Sequence, residues 1–143
     1  MFYFDTAYIA KCYLNEPGAG RVRQQAYSSA DLASCELARV EFYAAVHRHL
    51  REGILTADEA REAIEDFILD EADGIWNWIP ITSTLLDLAC EQINLLPPNV
   101  YLRTVDAIHL TCASSNGFQT IYSNDRHLLA AAPHFGLTGI NVI

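Results

Sequence analysis

The chain opens with Met1-Phe-Tyr-Phe-Asp5-Thr6-Ala7, an apolar and aromatic run that ends on an acid. A run of this kind, without polar alternation, predicts a short strand that is buried on both faces, as in a parallel sheet. Asp5 then falls at the carboxyl end of that strand, and Thr6 is expected to cap a helix over 7–14. A strand, an acid and a helix in this order are typical of an α/β unit.

The same alternation of strand and helix signals continues to the end of the chain. Further strands are predicted at 32–35, within 75–81, at 120–122 and at 139–143, and further helices at up to about 28, 36–51, 56–73, 83–95, 103–115 and 125–132. No Gly/Ser-rich linker and no internal repeat interrupts the pattern. The sequence therefore predicts one α/β domain over 1–143, with a mainly parallel central sheet of about five strands flanked by helices.

Acidic charge is concentrated in one segment. The net charge of −9 looks unsuited to a nucleic-acid enzyme, but residues 52–73 hold nine acids against Arg61 alone. The rest of the chain has nine acids against eight lysines and arginines. The capping box at 56–59 and helical apolar spacing predict a helix there with a solvated acidic face. The acidity is local and does not exclude RNA as a partner.

Membrane and zinc-finger classes find no support in the sequence. No apolar run reaches the ~18 residues of a membrane span, and the N-terminal region lacks the features of a signal peptide. A cytoplasmic protein without a membrane partner is therefore expected. The four cysteines form no CxxC pair and lack a histidine at zinc-finger spacing, so reduced cysteines acting as small core residues are predicted.

Four acids lie where an α/β sheet binds ligands. Asp5 ends the first strand, Asp125 follows the strand at 120–122, and Asp106 is in the first turn of its helix. Glu41 lies about a turn and a half into the helix after the second strand. Because ligands bind beyond the carboxyl ends of parallel strands, all four acids can meet at one edge. Such oxygen ligands suit Mg²⁺ or Mn²⁺, which can activate a water and neutralise a phosphate.

Each acid taken alone also has a simpler explanation. Asp5 and Asp125 are typical turn or cap residues, and Asp106 can favour its helix dipole. Glu41 is harder to explain in this way, because an unpaired acid between apolar neighbours is costly to bury.

Apolar spacing in the helix that carries Glu41 predicts that Val40 faces inward, together with Leu37, Ala44 and either Phe42 or Tyr43.

The sequence blocks around the acids resemble those of PIN-domain proteins. The blocks are 1–7 (MFYFDTA) with 13–18 (YLNEPG), 37–44 (LARVEFYA), 102–110 (LRTVDAIHL), and 121–132 (IYSNDRHLLAAA) followed by 135–137 (FGL). They occur in family order and span nearly the whole chain. Within the family, the nearest resemblance is to VapC-type toxins of toxin–antitoxin pairs.

This resemblance implies a PIN-like nuclease that depends on Mg²⁺ or Mn²⁺. The implied protein is an endoribonuclease toxin of a type II toxin–antitoxin system, which hydrolyses RNA phosphodiester bonds with metal-activated water. Its implied partners are tRNA or rRNA as substrate, a cognate antitoxin protein, and a second copy in a homodimer. The residues carried over are Asp5, Glu41, Asp106 and Asp125 as catalytic acids and metal ligands, with Thr6 and Ser123 as supporting or substrate-binding hydroxyls. One departure is Ser-Asn-Asp at 123–125, where the family more often has Thr-x-Asp.

Nearby basic residues are open to two interpretations. Arg103, Arg126 and Lys11 are near the blocks in sequence and can meet RNA phosphates, but ordinary surface charge explains them equally well. His109 lies among apolar neighbours and is predicted to be a packed, hydrogen-bonded histidine rather than a catalytic one.

Two other functional classes agree less well with the sequence. A non-catalytic PIN-like module that binds RNA or protein is favoured when a site acid is missing, and here all four are present. A phosphotransfer domain needs Asp-x-Asp after the first strand or a lysine after a late strand. This chain has Asp5-Thr6-Ala7, and its only lysine is Lys11.

Overall fold

The computed structural model describes all residues, 1–143, as short strands connected by helices. The strands are β1 (Phe2–Tyr3), β2 (Leu32–Cys35), β3 (Trp76–Ile79), β4 (Thr120–Tyr122) and β5 (Thr138–Ile140). The helices are α1 (Thr6–Tyr13), α2 (Ala19–Tyr27), α3 (Leu37–Arg51), α4 (Ala57–Ala72), α5 (Ser83–Leu95), α6 (Thr104–Ser115) and α7 (Arg126–Ala131), with a 3-10 turn at Ala132–Phe135. None of the helices combines the length and apolar composition that a membrane crossing requires.

All strand pairs are parallel. β1, β2 and β3 form a three-stranded sheet in that order, and β4 pairs with β5. A single parallel bridge between Phe4 and Tyr122 joins the two pieces, and the Asp5 amide donates to the Tyr122 carbonyl at 3.1 Å. The spatial order is therefore β3-β2-β1-β4-β5, which confirms the predicted α/β fold with a parallel central sheet. Parallel pairing brings the carboxyl ends of β1 and β4 to the same edge.

The opening run contributes to both apolar cores. Successive strand residues point to opposite faces, so Phe4 joins one buried cluster and Tyr3 joins the other. The Phe4 cluster contains side chains from α1 to α4, including Phe42. The Tyr3 cluster contains side chains from α5, α6 and α7, including Leu128. Helices thus cover both faces, which explains why this strand is apolar without alternation.

The predicted inward face of α3 was half right, since Phe42 is buried and Leu37 packs against a buried cluster, but Val40 and Ala44 were wrong. Val40 is 69% exposed, and Tyr43 and Ala44 are also exposed, whereas Phe42 is fully buried. The Phe42 ring stacks on the Phe67 ring of α4, with centroids 4.3 Å apart. The position of α4, which is not visible in the spacing of α3 itself, selects the buried face.

Three smaller expectations also change. Thr6 does not cap α1, because Asp5 is the cap residue and Thr6 is the first helical residue. The last strand covers Thr138–Ile140, since its partner β4 is only three residues long. All four cysteines are free, but Cys90 is exposed rather than part of the core.

Candidate active site

The four predicted acids line one cavity of about 780 Å³ at the carboxyl edge of the sheet. Asp5 and Asp125 are the N-cap residues of α1 and α7, a short step after the ends of β1 and β4. Asp106 is in the first turn of α6, and Glu41 projects from α3. The parallel topology therefore brings together acids that are up to 120 residues apart in sequence.

Asp5 is a buried carboxylate without a salt bridge. One of its oxygens accepts from the Tyr8 backbone amide at 2.9 Å, and the other accepts from the Ser123 hydroxyl. Burial raises the pKa of Asp5 to about 6, although these two hydrogen bonds lower it in part. The site therefore contains a buried acid that has no partner in an ion pair.

Ser123 links the ends of β1 and β4. Its hydroxyl donates to Asp5 and accepts from the Asp125 backbone amide at 2.9 Å. The Asp125 carboxylate in turn accepts from the His127 amide at 2.7 Å and from the Leu128 amide at 3.2 Å. One hydroxyl thus fixes the backbone of Asp125 relative to the side chain of Asp5.

Glu41 is held by Thr6 and His109. The Thr6 hydroxyl donates to Glu41 Oε2 at 2.5 Å, and His109 Nε2 lies 2.9 Å from the same oxygen. His109 Nδ1 is 3.1 Å from the Tyr3 hydroxyl, and the imidazole is only 2% exposed. The prediction of a packed, hydrogen-bonded histidine is confirmed.

The hydrogen bond between His109 and Glu41 joins two charged groups. Burial by itself lowers the pKa of His109, but its hydrogen bonds to Cys35 and Glu41 raise it to about 10. Burial also raises the pKa of Glu41, and the hydrogen bond and charge of His109 outweigh that effect, so the net pKa is lowered. The two groups form an imidazolium–carboxylate pair at neutral pH.

Arg103 pairs with the remaining two acids. Its Nε and Nη2 donate to the two oxygens of Asp106 at 2.7 and 3.1 Å, and Nη2 also donates to Asp125 at 2.7 Å. A planar guanidinium is well suited to such two-point binding of a carboxylate. The i,i+3 spacing of Arg103 and Asp106 was a signal for this pair, but the link to Asp125 depends on how α6 and α7 pack.

The donor set has the chemistry of a hard-cation site. All four acids supply oxygen ligands, which Mg²⁺ and Mn²⁺ prefer. As the side chains stand, no three His, Cys, Asp or Glu side chains converge closely enough to hold a metal ion. The Arg103 guanidinium instead supplies the positive charge between Asp106 and Asp125. The residues fit a divalent cation, provided that this arginine moves away from the two acids.

Basic residues are also concentrated around this cavity. Four of the nine lysines and arginines line it: Lys11, Arg48, Arg103 and Arg126. Lys11 is not surface charge, because it is buried and paired with Glu16 at 2.8 Å. Sequence reasoning missed Arg48, for which no motif gave a signal. It also did not single out Glu16, although this residue lies in the 13–18 block.

The family follows from a comparison of the whole chain with known domains. The chain belongs to the PIN-domain family, since the PIN domain matches residues 2–133.

A solved structure with this fold is VapC20 of Mycobacterium tuberculosis, a sarcin–ricin loop cleaving toxin. The two structures align with a TM-score of 0.73 at 16% sequence identity, over 92% of this chain and 95% of that chain. At this identity the likeness concerns the fold. No curated protein sequence matches the chain.

Proposed function

We propose that this PIN-domain protein is a Mg²⁺- or Mn²⁺-dependent endoribonuclease that hydrolyses RNA phosphodiester bonds. The observation that carries the proposal is the shared cavity of Asp5, Glu41, Asp106 and Asp125. Four carboxylates gathered together repel one another unless a cation is present, and Asp5 has no cationic partner in a salt bridge. In a nuclease, a divalent cation bound by these acids would remove the repulsion between them.

Within this proposal, the four acids would hold the metal and the hydroxyls would orient the acids. A bound divalent cation supplies a water of lowered pKa and positive charge for the phosphate. Thr6 fixes one oxygen of Glu41, and Ser123 fixes one oxygen of Asp5. These contacts leave the second oxygen of Glu41 free to bind a cation.

Basic side chains at the same cavity would bind the RNA backbone. Arg126 is exposed and Arg48 is exposed on α3, so both can reach a phosphate without first breaking an ion pair. Arg103 can do the same only after it releases Asp106 and Asp125. Such contacts depend on salt, because each phosphate that is neutralised releases counterions.

The biological setting proposed here is that of a toxin in a type II toxin–antitoxin system. What supports it is the family, together with the blocks that resemble VapC-type toxins. The chain would act in the cytoplasm on tRNA or rRNA, as a homodimer, and a cognate antitoxin protein would cover the cavity when the toxin is silent. Co-expression with the protein encoded beside it, followed by co-purification, tests this assignment.

The activity itself is tested by incubating purified protein with total RNA and Mg²⁺ or Mn²⁺. Asp5→Asn and Asp106→Asn should each abolish cleavage, because each removes a charged oxygen ligand. His134→Ala should cleave as the wild type does, since His134 is exposed and does not line the cavity. Cleavage that survives in both acid variants would exclude this site as the catalytic centre.

A non-catalytic PIN-like module is the second candidate. The observation that favours it is the Arg103 guanidinium, which occupies two of the four acids as a permanent cation would. In that case the protein would bind RNA or a protein partner. Addition of Mg²⁺ or Mn²⁺ would neither change its melting temperature nor lead to cleavage of the RNA. Metal-dependent cleavage by the wild type alone excludes this candidate.

A further inference from the structure

The side chains of Tyr101 and His127 lie beside the cavity and form no hydrogen bond with its acids. The side chain of Tyr101 is 60% exposed, and its ring contacts the His127 imidazole with centroids 4.6 Å apart and planes tilted by 55°. His127 lines the acid cavity, and its backbone amide donates to Asp125 at 2.7 Å. The aromatic pair therefore lies directly beside a candidate catalytic acid.

The position of Tyr101 is set by its two neighbours. Val100 and Leu102 both pack against the buried cluster of Tyr3. Between two anchored residues, Tyr101 is held outward on a segment that leads directly into α6. An exposed aromatic ring in a fixed position can be covered by a flat ligand at a low cost in conformational entropy.

The charge around the pair selects the class of that ligand. Arg126 is exposed and its Nε lies 3.3 Å from His127 Nε2, and Arg103 follows Tyr101 by two residues. Two guanidinium groups and two aromatic rings at one rim form the combination that single-stranded nucleic acid uses, with phosphates on the cations and bases on the rings. A purely apolar ligand would gain nothing from the arginines.

We propose that Tyr101 and His127 form a stacking platform for one nucleobase of the RNA, next to the bond at the acid cavity. This inference rests on the proposed function and adds a substrate-positioning residue to it. The platform would act through the face of the base and would therefore tolerate any base. It would position the nucleotide without touching the reacting atoms.

The test measures binding to two fluorescein-labelled RNAs of roughly 15 nucleotides. One is a random-sequence pool, and the other is a ribose-phosphate strand of equal length without bases. Anisotropy is recorded in Ca²⁺, which also takes carboxylate ligands, and a gel checks that the RNA stays intact. The proteins are the wild type, Tyr101→Ala, Tyr101→Trp and the control Tyr27→Ala, whose ring is 85% exposed beside a separate cavity.

Tyr101→Ala should weaken binding of the base-bearing pool by roughly fivefold to a hundredfold, the usual range for one stacked base. It should leave binding of the abasic strand unchanged. Tyr101→Trp should bind the pool as tightly as the wild type, and Tyr27→Ala should match the wild type on both RNAs. In cleavage assays, Tyr101→Ala should raise KM more than it lowers kcat.

Two results would overturn the platform: equal binding of the pool by Tyr101→Ala and the wild type, or an equal loss on both RNAs. Tyr101-dependent binding by a wild type that cuts no RNA with any metal would keep the platform and refute the nuclease. A wild type that binds neither RNA would refute both.

Discussion

The cavity has two halves that hold their acids in different ways. Asp106 and Asp125 are held by the Arg103 guanidinium, whose side chain is 58% exposed. Asp5 and Glu41 are held by hydroxyl groups and by His109, which is 2% exposed. The cation of the outer half, Arg103, can therefore turn away into solvent, whereas the cation of the inner half, His109, is fixed in the interior.

This difference indicates that the two ion pairs should respond differently to a competing cation. A water-accessible ion pair contributes little to stability and breaks readily, so Arg103 can leave when another cation arrives. A buried pair is costly to break, because the remaining partner is left charged in a poor solvent. Under the proposed function, the inner half (Asp5, Glu41 and His109) would pre-form the site, and the outer half (Asp106, Asp125 and Arg103) would be released for metal and RNA.

The largest effect is expected for His109→Ala. This change leaves the Glu41 carboxylate without its main partner and opens space beside Tyr3. Loss of one member of a fully buried pair costs about 3–5 kcal/mol, and a value of about 3 kcal/mol is expected here because Glu41 is 26% exposed. The measurement is the free energy of unfolding in urea. The control is His134→Ala, which replaces an exposed histidine and should leave the free energy of unfolding unchanged. If His109→Ala lowered that free energy by no more than Arg103→Gln does, the two halves would not differ in the way described.

The same histidine predicts a dependence of stability on pH. The pKa of His109 rises from about 6.5 in the unfolded chain to about 10 in the folded protein. Its contribution is therefore complete below pH ~6.5 and is lost as the pH rises towards 10. Urea unfolding at intervals across that range should give a falling free energy in the wild type and a flatter curve in His109→Ala.

Asp5→Asn should stabilise the protein when metal is absent. Because burial raises the pKa of Asp5 to about 6, its stabilising effect is present only below its unfolded value and is lost as the pH rises through 6. Asparagine removes the charge and can still cap α1. At pH 7 in EDTA, the gain in unfolding free energy should be about 2–3 kcal/mol; an unchanged or lower value would mean that Asp5 is already compensated.

Ser123→Ala should lower stability by about 1–2 kcal/mol, since a buried carboxylate loses a hydrogen bond. It should also reduce cleavage, because Asp5 is no longer fixed relative to Asp125. Ser123→Thr, which carries the hydroxyl more common in the family, should restore both. Thermal unfolding and RNA cleavage of the pair give the comparison, and a full loss of cleavage in Ser123→Thr would refute the proposed role of the hydroxyl.

The smallest change in stability is expected for Arg103→Gln. The Arg103 side chain is 58% exposed, although Asp106 is only 7% exposed. An ion pair screened by solvent in this way is worth about 1 kcal/mol or less, so the melting temperature in EDTA should fall only slightly. Affinity for Mn²⁺ should rise, because the metal no longer competes with a guanidinium for Asp106 and Asp125. Arg126→Gln is the matched control, since Arg126 lines the cavity without pairing with an acid; weaker Mn²⁺ binding in Arg103→Gln would contradict the competition.

The sequence predicted the acids better than their partners. Asp5, Asp106 and Asp125 follow strands or begin helices, and such positions are set by local patterns, so parallel topology was sufficient to place them at one edge. The pairing of Arg103 with Asp125 spans 22 residues and depends on the packing of α6 against α7. Lys11 was open to interpretation as surface charge, because its partner Glu16 becomes close only after the chain turns between α1 and α2.

The buried face of a helix was likewise difficult to predict from local sequence patterns. The apolar residues of α3 are compatible with more than one buried stripe, and the spacing alone favoured Val40, which is exposed. Phe42 was fixed by Phe67, a residue 25 positions later on another helix. Local periodicity therefore identifies a helix, but contacts between helices determine which face is buried.

The most direct test of the account is a calorimetric titration of Mn²⁺ into the wild type, Asp5→Asn and Asp106→Asn. Asp5 belongs to the inner half and Asp106 to the outer half, and the proposed metal would bind to both halves. Both variants should therefore lose Mn²⁺ binding while remaining folded by circular dichroism. Full binding in either variant would show that the two halves do not form one metal site.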